Sequence, residues 1–160
     1  MLQLCASSLV DTHAIAASLA ELARSGDLVV LAGEMGAGKT AFAKGFGAAL
    51  GVTEPITSPT FTLVHSYVAG RITLHHADLY RLSTTNEVAD LALAELLEYD
   101  GIVLLEWGDV VAQTLGDHLL VHLEASLEDE DARRVTVSGV GRSWAVRWER
   151  VEAALIRFAC

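Results

Sequence analysis

The segment Gly33-Glu34-Met35-Gly36-Ala37-Gly38-Lys39-Thr40 constrains this chain more than any other feature. It fits the pattern G-x-x-x-x-G-K-[ST] at every fixed position, and it lies between the apolar run 28–32 and the helix-like segment 39–50. Glycines let a backbone turn so tightly that successive N–H groups point inward, where they suit the oxygens of a phosphate. The segment therefore predicts a strand, a phosphate-binding loop and a helix, in that order.

The residue types of this loop predict how a nucleoside triphosphate is held. The helix that follows presents the positive end of its dipole, Lys39 supplies a charge for the β- and γ-phosphates, and the Thr40 hydroxyl suits Mg²⁺. An ordinary glycine-rich turn between strand and helix is the alternative. The nucleotide-binding residues predicted in this segment are Gly33, Glu34, Met35, Gly36, Ala37, Gly38, Lys39, Thr40 and Ala41.

Two acidic residues follow segments with strand character. Glu106 ends the apolar run 102–105, and Asp78 follows the alternating segment 72–76. Ligands of open α/β sheets gather at the carboxyl ends of the strands, and a carboxylate there can hold Mg²⁺ directly or through water. Either residue alone also suits a simpler role, which is to cap the next segment.

The segment 57–61 is rich in hydroxyl side chains and follows the helix of the phosphate loop. A threonine in such a loop, here Thr60, can sense the γ-phosphate, although Ser-Pro-Thr is also a common way to begin a strand. His75 and His76 have no companion at metal-ligand spacing, so we interpret them as structural residues and propose no zinc site.

Apolar runs and helical periods alternate along the chain, which predicts an α/β fold. We expect a three-layer domain like that of P-loop NTPases, spanning residues 1–160, with a mixed sheet, antiparallel hairpins and flanking helices. No run approaches the roughly 20 apolar residues of a membrane span. The expected strands are 2–6, 28–32, 60–67, 71–78, 102–106, 118–127 and 133–140. The first expected helix begins at Asp11 or Thr12 and ends at Gly26, and two further helices cover 39–50 and 85–97.

A closing helix is also expected, because apolar residues recur there at helical spacing. This spacing predicts a core-facing stripe rather than a partner-binding face, and the stripe consists of Trp144, Trp148, Val151, Leu155 and Phe158.

The charge distribution bears on the function more than the net charge of −10 does. Residues 82–132 contain thirteen acidic residues and no lysine or arginine, which argues against a broad nucleic-acid surface. A small-molecule kinase would need a lid that carries arginines, and the segment where such a lid usually lies contains none in this chain. A GTPase commonly uses Asn-Lys-x-Asp, yet the only asparagine, Asn86, precedes Glu87. A nucleotide-gated scaffold without hydrolysis also fits.

Two cysteines, Cys5 and Cys160, lie near opposite termini. They do not make the disulfide framework of a small secreted domain, so we expect a reducing compartment and a cytoplasmic protein.

Four blocks of the sequence resemble the TsaE (YjeE) family, the bacterial P-loop ATPases of tRNA threonylcarbamoyladenosine biosynthesis. They occur in the order of the family: residues 33–40, Ser58-Pro59-Thr60-Phe61-Thr62-Leu63-Val64, His76-Ala77-Asp78-Leu79-Tyr80-Arg81-Leu82, and Leu105-Glu106-Trp107-Gly108-Asp109. The resemblance implies an Mg²⁺-dependent ATPase with ATP and Mg²⁺ as cofactors and with weak turnover on its own. It also implies TsaD and TsaB as partners, which transfer the threonylcarbamoyl group to the adenosine beside the anticodon, and a weak or indirect contact with tRNA.

The resemblance implies a role for individual residues as well. Met35 and Ala41 depart from the family, where leucine and a second threonine are usual. The implied roles are Mg²⁺ binding for Thr40 and Glu106, catalysis for Lys39 and Asp78, a switch-like loop for Thr60, and nucleotide contacts for Thr12 and for Arg134 with its neighbour Arg133.

Overall fold

A computed structural model of the chain describes residues 1–58, 64–78, 93–106 and 115–160. The strands are β1 (Leu2–Ala6), β2 (Leu28–Ala32), β3 (Val64–Ala69), β4 (Ile72–Asp78), β5 (Gly101–Glu106), β6 (His118–Ala125) and β7 (Arg133–Val140). The helices are α1 (Leu9–Leu22), α2 (Lys39–Leu50), α3 (Leu93–Leu97), α4 (Arg142–Ala145) and α5 (Trp148–Leu155), followed by a 3₁₀ turn (Ile156–Phe158).

All seven strands form one sheet in the order β1-β7-β6-β2-β5-β4-β3. The four central strands β6, β2, β5 and β4 are parallel to one another, while β1, β7 and β3 join in antiparallel pairs. Every residue of β2 and β5 is buried, as expected where a parallel sheet is covered on both faces. The predicted mixed sheet with two antiparallel hairpins and flanking helices is confirmed.

The two faces of the sheet carry separate apolar clusters. On one face, Ile102 and Leu104 of β5 and Leu74 of β4 pack in the larger cluster with Phe42 and Phe46 of α2. The smaller cluster on the other face takes the alternate residues of these strands and the leucines of α3. Because side chains alternate along a strand, residues 76, 78 and 106 share the face that α2 covers.

Helix α2 has the predicted bounds, but α1 does not. Helix α1 begins at Leu9, earlier than predicted, because Ser8 is the N-cap: its hydroxyl accepts from the Asp11 N–H at 3.2 Å. The Asp11 carboxylate instead reaches back to Ser7, whose N–H and hydroxyl donate to it at 3.0 and 2.6 Å. These hydrogen bonds, the one from the Ser7 hydroxyl foremost, lower the pKa of Asp11. The helix also ends at Leu22, four residues before the predicted Gly26.

The hairpin boundaries differ slightly from the prediction. Strand β3 continues through Val68 and Ala69, which were expected in the turn, and the reversal falls at Gly70 and Arg71. Residues 60–63 of the predicted strand and residues 85–92 of the predicted helix lie outside the described residues. The second hairpin, β6 with β7 around the acidic tip Glu128-Asp129-Glu130-Asp131, is confirmed, although β6 ends at Ala125, two residues before the predicted end of the strand.

The closing segment is not one helix but two short helices and a 3₁₀ turn, with a break at Val146 and Arg147. The predicted core-facing stripe is nevertheless confirmed. Its members Trp144, Val151, Leu155 and Phe158 are buried in the larger cluster, and Trp148 packs against it while partly buried.

The two termini meet at the edge of the sheet. Leu4 of β1 forms a bridge with Ala159, and a disulfide joins Cys5 to Cys160, whose Cα atoms are 5.1 Å apart. This pairing was not expected from the sequence, because two cysteines 155 residues apart give no sequence signal that they become neighbours. Throughout the described ranges, no helix combines the length and the apolar character needed to cross a bilayer.

Candidate nucleotide site

The loop between β2 and α2 has a backbone that only glycine adopts easily. Gly33 and Gly38 have φ values of 142° and 105°. A Cβ at Gly33 would collide with the carbonyl oxygen of Leu123 in β6, and one at Gly38 would lie 3.2 Å from Nε of Arg133. The fixed glycines of the sequence pattern are therefore required both by the backbone conformation and by close packing against β6 and β7.

Lys39 begins α2, and its side chain folds back over the loop. Its Nζ donates to the carbonyl oxygens of Gly33 at 2.6 Å and Glu34 at 2.9 Å, and the residue is buried. Gly38, the N-cap of α2, offers no side-chain cap to the first N–H groups of the helix. Uncapped N–H groups and the helix dipole together favour an anion at this end, and Thr40 and Ala41 stand in the same first turn.

The two predicted carboxylates end neighbouring parallel strands. Asp78 and Glu106 are paired residues of β4 and β5, and they are only 4% and 3% exposed. Glu106 is also paired with Leu31 of β2, two residues before Gly33 begins the loop. The strand order thus brings Glu106 next to the phosphate loop and Asp78 one strand further away, on the face that α2 covers.

The residues present fit a magnesium ion bound together with phosphate. Oε1 of Glu106 is buried and has no well-aligned hydrogen-bond partner among the described residues, which is a demanding state for a carboxylate oxygen. Within the described ranges, no three His, Cys, Asp or Glu residues gather as a metal cage. Mg²⁺ typically uses one or two carboxylates and the phosphates of its nucleotide, so Glu106 and the Thr40 hydroxyl match what this ion needs.

Arg133, which sequence reasoning mentioned only as a neighbour of Arg134, touches the loop directly. Its Nε donates to the carbonyl oxygen of Ala37 at 2.8 Å, across 96 residues of sequence. No spacing or motif in the sequence links these two positions, and the contact arises because β7 and β6 pack beside the loop. Arg133 thereby holds the loop at Ala37, opposite the carbonyls that Lys39 contacts.

Arg134 lies one residue further along β7 and is exposed. It lines, with Arg133, a cavity of about 570 Å³ that also reaches Ser7 and the tip of the second hairpin. Thr12, the other predicted nucleotide contact near the amino terminus, does not line this cavity. Its buried hydroxyl donates to the carbonyl oxygen of Ser8 at 3.4 Å within α1.

The predicted switch residue Thr60 lies in 59–63, outside the described residues. The chain just before it is held by β3, because the Thr57 N–H donates to the Tyr67 hydroxyl at 3.4 Å. His76 lies beside Glu106, with 3.1 Å between Nε2 and Oε1. His75 faces the other way, toward the hydroxyl of Ser66, at 2.7 Å from Nδ1, and burial lowers the pKa of its imidazole.

Comparisons with known proteins show the family and the fold that this chain resembles. Residues 6–135 match the family described as "Threonylcarbamoyl adenosine biosynthesis protein TsaE". Two similar proteins are each named "tRNA threonylcarbamoyladenosine biosynthesis protein TsaE". The one from Bacillus subtilis (strain 168) is 36% identical, and the match covers 88% of this chain and 87% of the relative. The one from Streptomyces coelicolor is 42% identical, and the match covers 79% of this chain and 89% of the relative. The solved structure "Crystal structure of Bacillus subtilus YdiB" superposes with a TM-score of 0.78 at 30% identity, covering 95% of this chain and 94% of that one.

Proposed function

This chain belongs to the TsaE family, and we propose that it serves threonylcarbamoyladenosine biosynthesis on tRNA as an Mg²⁺-dependent ATPase. The observation that supports the ATPase activity is the arrangement at the carboxyl edge of the sheet. A complete phosphate loop with a buried lysine stands beside two buried carboxylates on successive parallel strands. The loop can bind phosphates, and the two carboxylates can bind a metal ion and a water molecule.

Lys39 and the loop amides bind the phosphates in this proposal. The Lys39 ammonium already lies over the loop on two carbonyl oxygens, and it exchanges these neutral partners for phosphate oxygens when a nucleotide enters. Phosphate oxygens carry a negative charge that carbonyl oxygens lack, and their attraction to the ammonium favours the nucleotide in this exchange. Arg133 meanwhile keeps Ala37, and with it the loop backbone, in place.

Mg²⁺, when bound, neutralises charge on the β- and γ-phosphates, and the Thr40 hydroxyl and Glu106 carboxylate are the groups that would hold it. Asp78 ends the strand next to Glu106 and is equally buried. Its carboxylate orients the attacking water by accepting a hydrogen bond from it. Positioning of this kind, rather than covalent chemistry, is what phosphoryl transfer requires of a protein.

The partners in this proposal are TsaD and TsaB, and the compartment is the cytoplasm. Turnover by the chain alone is slow, as in P-loop switches whose sites are completed by a second protein. Residues 82–132 contain no lysine or arginine, so docking to proteins is the main route by which the chain serves a tRNA pathway. Contact with tRNA itself is weak or indirect.

The test is ATP hydrolysis by the purified chain with and without the TsaD–TsaB pair. We expect the pair to raise turnover and Glu106→Ala to abolish it, while Glu149→Ala, an exposed acidic residue of α5, leaves it unchanged. Full activity of Glu106→Ala would refute the metal assignment. Turnover that ignores the pair, together with phosphoryl transfer to a small metabolite, would favour a kinase.

A further inference from the structure

His76 is a fully buried polar residue for which the packing of the sheet gives no reason. It lies on β4 between Leu74 and Asp78 on the face covered by α2, and it is 0% exposed. Both ring nitrogens are shielded from water, and neither has a well-aligned hydrogen-bond partner in the part of the chain that the structure describes. A buried unsatisfied polar group costs about 1–3 kcal/mol, which an apolar side chain at this position would avoid.

The polar group that His76 does approach is the carboxylate of Glu106. Nε2 lies 3.1 Å from Oε1, which is a hydrogen-bond distance, and Oε1 is itself buried with no well-aligned partner in the ranges that the structure describes. The terminal torsion of a glutamate is broad, so a small rotation of the carboxylate completes the bond at little cost. Each buried group thus offers the other the hydrogen bond that its present alignment lacks.

We propose that His76 is a positioning residue for Glu106. With its proton on Nε2, it donates to Oε1 and so leaves Oε2 as the oxygen for Mg²⁺. The inference rests on the proposed function, in which Glu106 is a magnesium ligand. Loss of a side chain that orients a metal ligand commonly lowers metal affinity or activity about 10–100-fold.

His75 provides a matched control on the same strand. It is the adjacent residue, its side chain points to the opposite face, and Ser66 meets its hydrogen-bonding need at 2.7 Å. A substitution at His75 therefore disturbs β4 without touching Glu106.

The experiment measures equilibrium binding of a fluorescent ATP analogue with Mg²⁺ and with EDTA. For His76→Leu we expect affinity to fall about 10–100-fold in Mg²⁺ and to stay near the wild-type value in EDTA. His76→Gln, whose amide N–H reaches the position of Nε2, should restore most of the loss. His75→Leu should match the wild type in both solutions.

Equal losses for His76→Leu with and without Mg²⁺, or no loss at all, would overturn the positioning role. A wild-type chain whose nucleotide affinity ignores Mg²⁺ would instead refute the proposed function itself. Long-range ¹H–¹⁵N spectra of the wild-type imidazoles give a test that needs no variant to fold. They should show the His76 proton on Nε2, and a proton on Nδ1 alone would contradict the proposal.

Discussion

Two buried carboxylates lie at opposite ends of the same pair of parallel strands, and they differ in how they are satisfied. Asp27 comes just before β2, and both of its oxygens are bonded to Arg147, with Nη1 2.7 Å from Oδ2 and Nη2 2.8 Å from Oδ1. The Arg24 N–H also donates to Oδ2. Among the described residues, the contact of Glu106, at the end of β5, is that of Oε1 with His76, which is poorly aligned.

The difference separates an acid whose hydrogen bonds hold the fold together from one that can still accept a ligand. Arg147 also donates to the carbonyl oxygens of Leu22 and Ser143 and lies 3.9 Å from the ring of Trp144, so it ties the end of α1 to the closing helices. A bidentate, fully bonded pair leaves no capacity for a ligand. Glu106 keeps that capacity, and it does so beside the phosphate loop.

Arg147→Ala should produce the largest effect on stability, because it leaves the Asp27 carboxylate buried without its partner. We expect a loss of about 3–5 kcal/mol in the free energy of unfolding and a fall in Tm on the order of 10 °C. Calorimetry measures both, with Arg150→Ala, an exposed arginine of α5, as the control. Equal Tm values for the two variants would mean that the pair of Arg147 and Asp27 does not stabilise the fold.

Cys160→Ser should come next. The disulfide closes a span of 155 residues at the edge of the sheet, and removing such a link typically lowers the free energy of unfolding by about 2–4 kcal/mol. Urea unfolding should show this loss, and a reducing agent should lower the wild type to the level of the variant. Nucleotide affinity should not change with it, and a parallel loss of affinity would show that the scaffold and the site are not separable.

Glu106→Gln should change the unfolding free energy by less than about 1 kcal/mol, because it removes a buried charge that has no complete partner. Asp27→Asn breaks a satisfied pair and should cost about 3 kcal/mol. Urea titrations of the two variants make the comparison direct. A loss for Glu106→Gln as large as that for Asp27→Asn would remove the distinction between the two carboxylates.

His75 should give the smallest effect, through pH. Burial lowers the pKa of its imidazole below the ordinary value of 6.5, so the unfolded chain binds this proton more readily than the folded one. Stability therefore falls as the pH drops from 6.5 through the folded-state pKa, and His75→Gln should flatten this part of the profile. Thermal melts between pH 7.5 and 5, roughly, measure it, and a profile unchanged by the substitution would contradict the assignment.

The sequence predicted those parts of the molecule that rest on local patterns. The all-apolar strand β2, the phosphate loop and the glycine that ends α2 each show a signal within a few residues, and all were placed correctly. The start of α1 was misjudged because Ser7, Ser8 and Asp11 compete for one helix terminus, and only the folded geometry shows which side chain is the cap.

Contacts between distant segments had no such signal. Arg147 reaches Asp27 across 120 residues, and Arg133 reaches Ala37 across 96. Arg147 lies at the break in the predicted closing helix, and Arg133 adds to the site a residue that the loop pattern could not include. Asp78 and Glu106 fell between these cases, because apolar strands predicted that both lie at one edge while only the register shows that they are paired.

The bond between Cys5 and Cys160 turns almost the entire chain into a covalent ring. A single cut by a protease anywhere inside this ring yields one molecule with new ends, not two pieces that drift apart. On a denaturing gel run without reductant such a cut would leave one band, and only reduction would divide it into two. The acidic hairpin tip at 126–132, far from both cysteines in sequence, is thereby a place where the backbone can be opened without losing either half.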